Sequence, residues 1–120
     1  MAQKILVVDD EPNLVRLLES RLKALHYDVI VAYDGKACLE RAKREKPHLI
    51  ILDVVMPGMD GFEVLHTLRH SSETNLIPVI MLTQKKDSGS MLDAEDLGCT
   101  DYISKPFKPQ ELVKIIKRYI

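Results

Sequence analysis

Three runs of four apolar residues constrain this chain more than any other feature: Ile5-Leu6-Val7-Val8, Leu49-Ile50-Ile51-Leu52 and Val79-Ile80-Met81-Leu82. A strand with one wet face alternates apolar and polar residues. Runs without that alternation must be covered on both sides, as the central strands of a parallel sheet are. Val29-Ile30-Val31-Ala32 and Tyr102-Ile103 are weaker versions and suit edge positions. Between the runs lie helical patterns. From Pro12 to His26, Leu14, Leu17, Leu18, Leu22 and Leu25 follow the 3.6-residue period, with Pro12 suited to the first turn. Gly35 to Glu45 carries Cys38, Leu39 and Ala42, and Gly61 to His70 carries Phe62, Leu65 and Leu68. A thinner helical pattern runs from about Asp87 to Leu97, and a final one opens at Pro109 with Leu112, Val113, Ile116 and Tyr119. Five strands alternating with five helices predict a (βα)5 chain, an α/β doubly wound parallel five-stranded sheet with right-handed crossovers. Such sheets place their ligand site at the carboxyl ends of the strands, beside the switch in strand order.

The 120 residues fit one domain, 1–120, and 46% apolar with 29% charged residues is globular composition. Seventeen Lys and Arg against eighteen Asp and Glu leave no basic field to gather nucleic acid or anionic lipid. Cys38 and Cys99 form neither a C-x-x-C pair nor a zinc spacing. The apolar stretch after Met1-Ala2-Gln3-Lys4 is too short for a signal peptide or a membrane span. The expectation is a soluble single-domain protein of a reducing compartment, the cytoplasm.

The residues at the strand ends carry the chemistry. Asp9, Asp10 and Glu11 follow strand 1, Asp53 ends strand 3, Thr83 ends strand 4 and Lys105 follows strand 5. In the predicted fold these points converge. Each has an ordinary explanation alone: an acid after a strand caps a helix, a threonine does the same, and a lysine is solvated. Their joint placement, each after a separate buried strand, is the specific signal. Clustered carboxylates repel, so one takes up a proton or a cation intervenes. An oxygen-only donor set with room for water suits Mg²⁺. If Asp53 attacks a phosphoryl group, Mg²⁺, Lys105 and Thr83 are placed to meet its terminal oxygens.

The chain resembles the receiver domain of two-component response regulators. The resemblance rests on VVDDEP at Val7 to Pro12, DVVMPGMDG at Asp53 to Gly61, Thr83, and DYISKPF at Asp101 to Phe107, and it covers all 120 residues. It implies a flavodoxin-like strand order, 2-1-3-4-5. It implies that Asp53 is the phosphoacceptor, taking its phosphoryl group from a phosphohistidine of a sensor kinase or phosphotransfer protein. Asp9 and Asp10 match the acid pair that positions Mg²⁺, with Asp10 the direct ligand and Asp9 acting through water; Val55 lends its backbone carbonyl. Thr83 and Lys105 match the phosphate-sensing hydroxyl and lysine, Tyr102 the switch aromatic, and the Lys105-Pro106 bond is expected to be cis. The implied role is control of an output domain or downstream protein, with homodimerisation on phosphorylation left open. No nucleic acid or membrane contact is implied for this domain, and no enzyme activity beyond self-catalysed phosphotransfer and autodephosphorylation.

Two positions depart from the family pattern. Gln84 stands where Ala or Gly is usual, and Lys85 follows it. Both are expected at the rim of the site, where bulk and charge govern phosphoryl lifetime. Cys99 replaces a small residue and reads as a small hydrophobe.

Competing assignments fare worse. A flavin or nucleotide carrier of this architecture needs a Gly- or Ser/Thr-rich loop after strand 1, where this chain has acids. A Mg²⁺-dependent aspartyl phosphatase places its nucleophile after strand 1 in a D-x-D arrangement. An interaction module that is never phosphorylated leaves the convergent acids, lysine and threonine unexplained. His66 and His70 stand four apart, but Thr67 occupies the place of a metalloprotease glutamate, and both histidines lie off the apolar stripe, so they read as surface residues.

Overall fold

The computed structural model describes residues 2–84 and 98–120. Five strands, β1 (Lys4–Val8), β2 (Asp28–Ala32), β3 (Leu49–Asp53), β4 (Val79–Gln84) and β5 (Asp101–Lys105), pair in parallel in the order β2-β1-β3-β4-β5. The described helices are α1 (Pro12–Ala24), α2 (Gly35–Glu45), α3 (Gly61–Arg69) and α4 (Pro109–Ile116). The helix expected near 87–97 and the rim residue Lys85 lie outside the described residues. Among the described residues, no helix is long and apolar enough to cross a membrane.

The apolar runs are central because the period of two splits each between opposite faces. Leu6, Val8, Ile50, Leu52, Val79 and Met81 pack with Cys38, Ala42, Val64, Leu65 and Leu68 from α2 and α3. Ile5, Val7, Leu49, Ile51, Ile80 and Leu82 pack on the other side with Val15, Leu18, Leu22, Leu112 and Ile116 from α1 and α4. Both weaker runs, β2 and β5, take the edges.

The buried stripe of α1 differs from the expected one. Val15, Leu18 and Leu22 are buried, while Leu17 and Leu25 are exposed. At 3.6 residues per turn Leu17 falls far round the helix from the Val15-Leu18-Leu22 line, and a leucine count alone does not locate the face. β4 and β5 also run further than expected. Thr83 pairs with Ser104 and Gln84 with Lys105, so Thr83 lies inside β4 and Lys105 is the last residue of β5. Backbone pairing carries the ladder past the last apolar residue of each run.

Helix starts follow local chemistry. The Asp34 carboxylate accepts from the Ala37 N–H at 2.8 Å and caps α2. Asp60 accepts from the Glu63 N–H at 2.9 Å, and Glu63 accepts in turn from the Asp60 N–H at 3.4 Å, a reciprocal cap on α3. The strand order reverses between β1 and β3, so the crevice expected of this fold opens where Asp9, Asp10 and Asp53 emerge.

Candidate functional site

Asp9 is fully buried one residue past β1, and its backbone N–H continues the pairing with β2 by donating to the Ala32 carbonyl. Its carboxylate does two things. Oδ1 accepts from the Glu11 N–H at 3.0 Å, holding the turn into α1, where Glu11 itself supplies no side-chain cap. Oδ2 accepts from the Lys105 ammonium at 2.9 Å. Asp10 is exposed.

Asp53 ends β3 and is buried, opposite Leu82 of β4. Its Oδ1 lies 3.2 Å from Lys105 Nζ. One carboxylate oxygen from each of Asp9, Asp10 and Asp53 lies within 4.8 Å of the others. The structure therefore brings together the acids and the lysine that the sequence distributes over three strand ends. The Lys105-Pro106 peptide is cis, as expected.

Charge and burial conflict here. Burial pushes the Asp53 carboxyl up to about 6, and repulsion from Asp9 adds to the effect against the opposing attraction of Lys105. Protonation of Asp53 therefore lowers both its burial cost and its repulsion from Asp9. For Lys105, burial opposes the charge, but the hydrogen bond to Asp9 and the fields of Asp53 and Asp9 outweigh it and hold the ammonium above its ordinary range. A single ammonium between carboxylates leaves excess negative charge. Oxygen-only donors, partly open to solvent at Asp10, fit a hard divalent cation such as Mg²⁺.

Thr83 is buried in β4, and its hydroxyl donates to the Ile103 carbonyl of β5 at 3.4 Å. Gln84 follows at the end of β4, in register with Lys105. Tyr102 is 42% exposed, on the edge strand β5. Val55 sits two residues past Asp53 in the loop leading to α3, its side chain exposed. Cys99 is partly buried against the α2/α3 side of the core, as its reading as a small hydrophobe requires.

Periodicity does not reveal the part played by Gly61. A Cβ there would lie 2.3 Å from the Asp53 carbonyl oxygen and 2.8 Å from Val54 Cα. The Gly61 N–H also donates to the Val54 carbonyl at 2.8 Å, folding the loop back onto the end of β3. The available hint is a glycine just after the Asp60 cap, where a stronger helix former would otherwise serve. Arg69 is a second such residue. It donates to the Gly98 and Ile77 carbonyls at 2.9 and 2.8 Å, tying α3 to the chain entering β4 and β5. No local pattern announces a contact of that range.

Residues 5–117 match the family model described as the response regulator receiver domain. The alkaline phosphatase synthesis transcriptional regulatory protein PhoP of Bacillus subtilis is 44% identical over 117 residues, 98% of this chain and 48% of that protein. The chain spans about half the length of the curated relatives it matches. Among solved structures, the chemotaxis protein CheY4 of Vibrio cholerae superposes with a TM-score of 0.94 at 32% identity, covering 100% of both chains. The receiver domain of the sensor histidine kinase PA1611 from Pseudomonas aeruginosa, solved with a magnesium ion in its active-site cleft, matches with a TM-score of 0.89 at 31% identity. That match covers 99% of this chain and 98% of the other.

Proposed function

Because this chain belongs to the response regulator receiver domain family, we propose that it is a phosphorelay switch whose phosphoacceptor is Asp53. The observation that carries this reading is the position of Asp53, buried within reach of the Lys105 ammonium and grouped with Asp9 and Asp10. The Asp53 carboxylate attacks the phosphorus of a phosphohistidine on a sensor kinase or phosphotransfer protein. An O–P bond forms as the P–N bond breaks, and the imidazole leaves with a proton from solvent. The nucleophile is the ionised carboxylate, and a group titrating at about 6 is ionised for the most part at neutral pH.

Asp9, Asp10, Asp53 and the backbone carbonyl of Val55 are the residues that would hold Mg²⁺, consistent with the magnesium in the PA1611 receiver. When bound, the ion supplies charge neutralisation for the transferring phosphoryl group. Lys105 contributes a fixed positive charge at the same place, and Thr83 presents a hydroxyl that a phosphoryl oxygen on Asp53 can engage in place of the Ile103 carbonyl. The chain performs no turnover on an external substrate beyond its own phosphorylation and dephosphorylation. It acts in the cytoplasm on an output domain or a downstream protein, as the transcriptional role in the name of its Bacillus relative suggests.

The test is labelling with acetyl phosphate, with and without Mg²⁺, and mapping of the adduct by mass spectrometry. One base-labile phosphoryl group on Asp53 is expected, dependent on Mg²⁺ and absent from Asp53→Asn. Labelling of Asp53→Asn at the parent stoichiometry would overturn the assignment. Multiple turnovers of a phosphomonoester would point instead to a phosphatase.

A further inference from the structure

α3 carries a second set of metal-ligating side chains, at the end opposite the Gly61–Asp53 contact. His66 and His70 are both exposed, and their rings stack with centroids 4.1 Å apart and planes at 25°. The Nδ1 of His70 lies 2.8 Å from the backbone carbonyl oxygen of His66. A carbonyl only accepts, so this nitrogen carries the proton, and Nε2 is left with the free lone pair. Metal-bound histidines are commonly held this way, one ring nitrogen donating to a backbone carbonyl while the other faces the ion. The second imidazole lies against the first, one helical turn earlier. A metal bonded to two imidazole nitrogens at about 2.0–2.1 Å each keeps them roughly 3–4 Å apart, so the stacked rings, 4.1 Å between centroids, are near enough to share an ion once rotation about their side-chain torsions turns both lone pairs toward it.

We propose that His66 and His70 form a two-imidazole surface site for a divalent late transition metal such as Ni²⁺, Cu²⁺ or Zn²⁺, water completing the coordination. The neighbouring Glu63 is engaged in the α3 cap, and Thr67 offers no general base, so the site binds without catalysing hydrolysis. Imidazole suits these metals, whereas Mg²⁺ takes oxygen ligands and stays with the carboxylates. The domain thus has two sites of different chemistry, one of oxygen donors at the strand ends and one of nitrogen donors on α3.

Titration of the whole chain with Ni²⁺ by calorimetry, in Mg²⁺ excess sufficient to occupy the carboxylates, tests this directly. One Ni²⁺ per chain is expected, with His66→Gln and His70→Gln each raising Kd at least tenfold and His48→Gln leaving it unchanged. Both positions are exposed, and circular dichroism confirms that each variant is folded. In NMR spectra, paramagnetic broadening by Ni²⁺ should centre on His66 and His70. Parent affinity in either single variant, or broadening centred on Asp9, Asp10 and Asp53, would overturn the proposal.

Discussion

The Lys105 ammonium stands between two buried carboxylates, 2.9 Å from Asp9 Oδ2 and 3.2 Å from Asp53 Oδ1. Asp9 is fixed by a second bond, from the Glu11 N–H. Asp53 has less support and carries the protonation cost of the cluster, with its carboxyl pushed up to about 6 by burial and then by Asp9. In the phosphotransfer proposed above, Lys105 places a fixed positive charge beside the oxygen that would take on the phosphoryl group.

The raised carboxyl sets a pH dependence with a definite sign. The folded state binds this proton more tightly than the unfolded chain, whose Asp titrates near 3.8. Its contribution to stability is fully present below about pH 4 and is lost as pH rises through about 6. In chelator, the parent should lose roughly 2–3 kcal/mol relative to Asp53→Asn between pH 4 and pH 7. Urea denaturation at a series of pH values measures this. Parallel profiles for parent and variant would show that Asp53 is not the group concerned.

Divalent cation should relieve the same repulsion. Mg²⁺ at a hundredfold excess over its dissociation constant is expected to stabilise the fold by about 2.7 kcal/mol. Asp10→Ala should abolish most of that response and raise the melting temperature of the metal-free protein, since a carboxylate is removed from the cluster. Thermal melts with Mg²⁺ and with chelator check both halves. A variant that responds to Mg²⁺ like the parent would remove Asp10 from the ligand set.

Gly61 should tolerate no side chain. In Gly61→Ala the new Cβ meets backbone, the Asp53 carbonyl oxygen at 2.3 Å, so the loop or the end of β3 has to move. A loss of about 1–3 kcal/mol is expected, the range for overpacking a filled site. Labelling of Asp53 by acetyl phosphate should slow as well, because nucleophile and lysine no longer hold their relative positions. Parent stability together with parent labelling kinetics would contradict the packing argument.

The remaining prediction concerns the output. A phosphoryl mimic on Asp53 offers oxygens that draw the Thr83 hydroxyl from Ile103, and Tyr102 is the aromatic placed to follow. Tyr102, exposed in this structure, should become more buried when beryllofluoride binds. Thr83→Ala should still accept phosphate but leave Tyr102 insensitive to it. Ring chemical shifts of Tyr102 in both proteins, with and without beryllofluoride, report the coupling. An equal response in the two would place it elsewhere.

The sequence by itself determined the layered parallel sheet. Apolar runs such as Leu49–Leu52 have no wet face, and this is legible because the period of two and the period of 3.6 are local properties of the chain. It also put Asp9, Asp10, Asp53, Thr83 and Lys105 at or near strand ends, since each lies at the close of an apolar run. Two kinds of information came only from the tertiary structure. The buried side of α1 depends on which neighbours it meets, and Leu17 is as apolar as the buried Leu18. The partner of the Lys105 ammonium and the carboxyl that carries the raised pKa depend on register and burial between segments 96 residues apart in sequence. The same holds for the space denied to a side chain at Gly61, which is set by the backbone of β3. Charge, desolvation and close contact act through space, so no pattern along the chain encodes them until the strands are side by side.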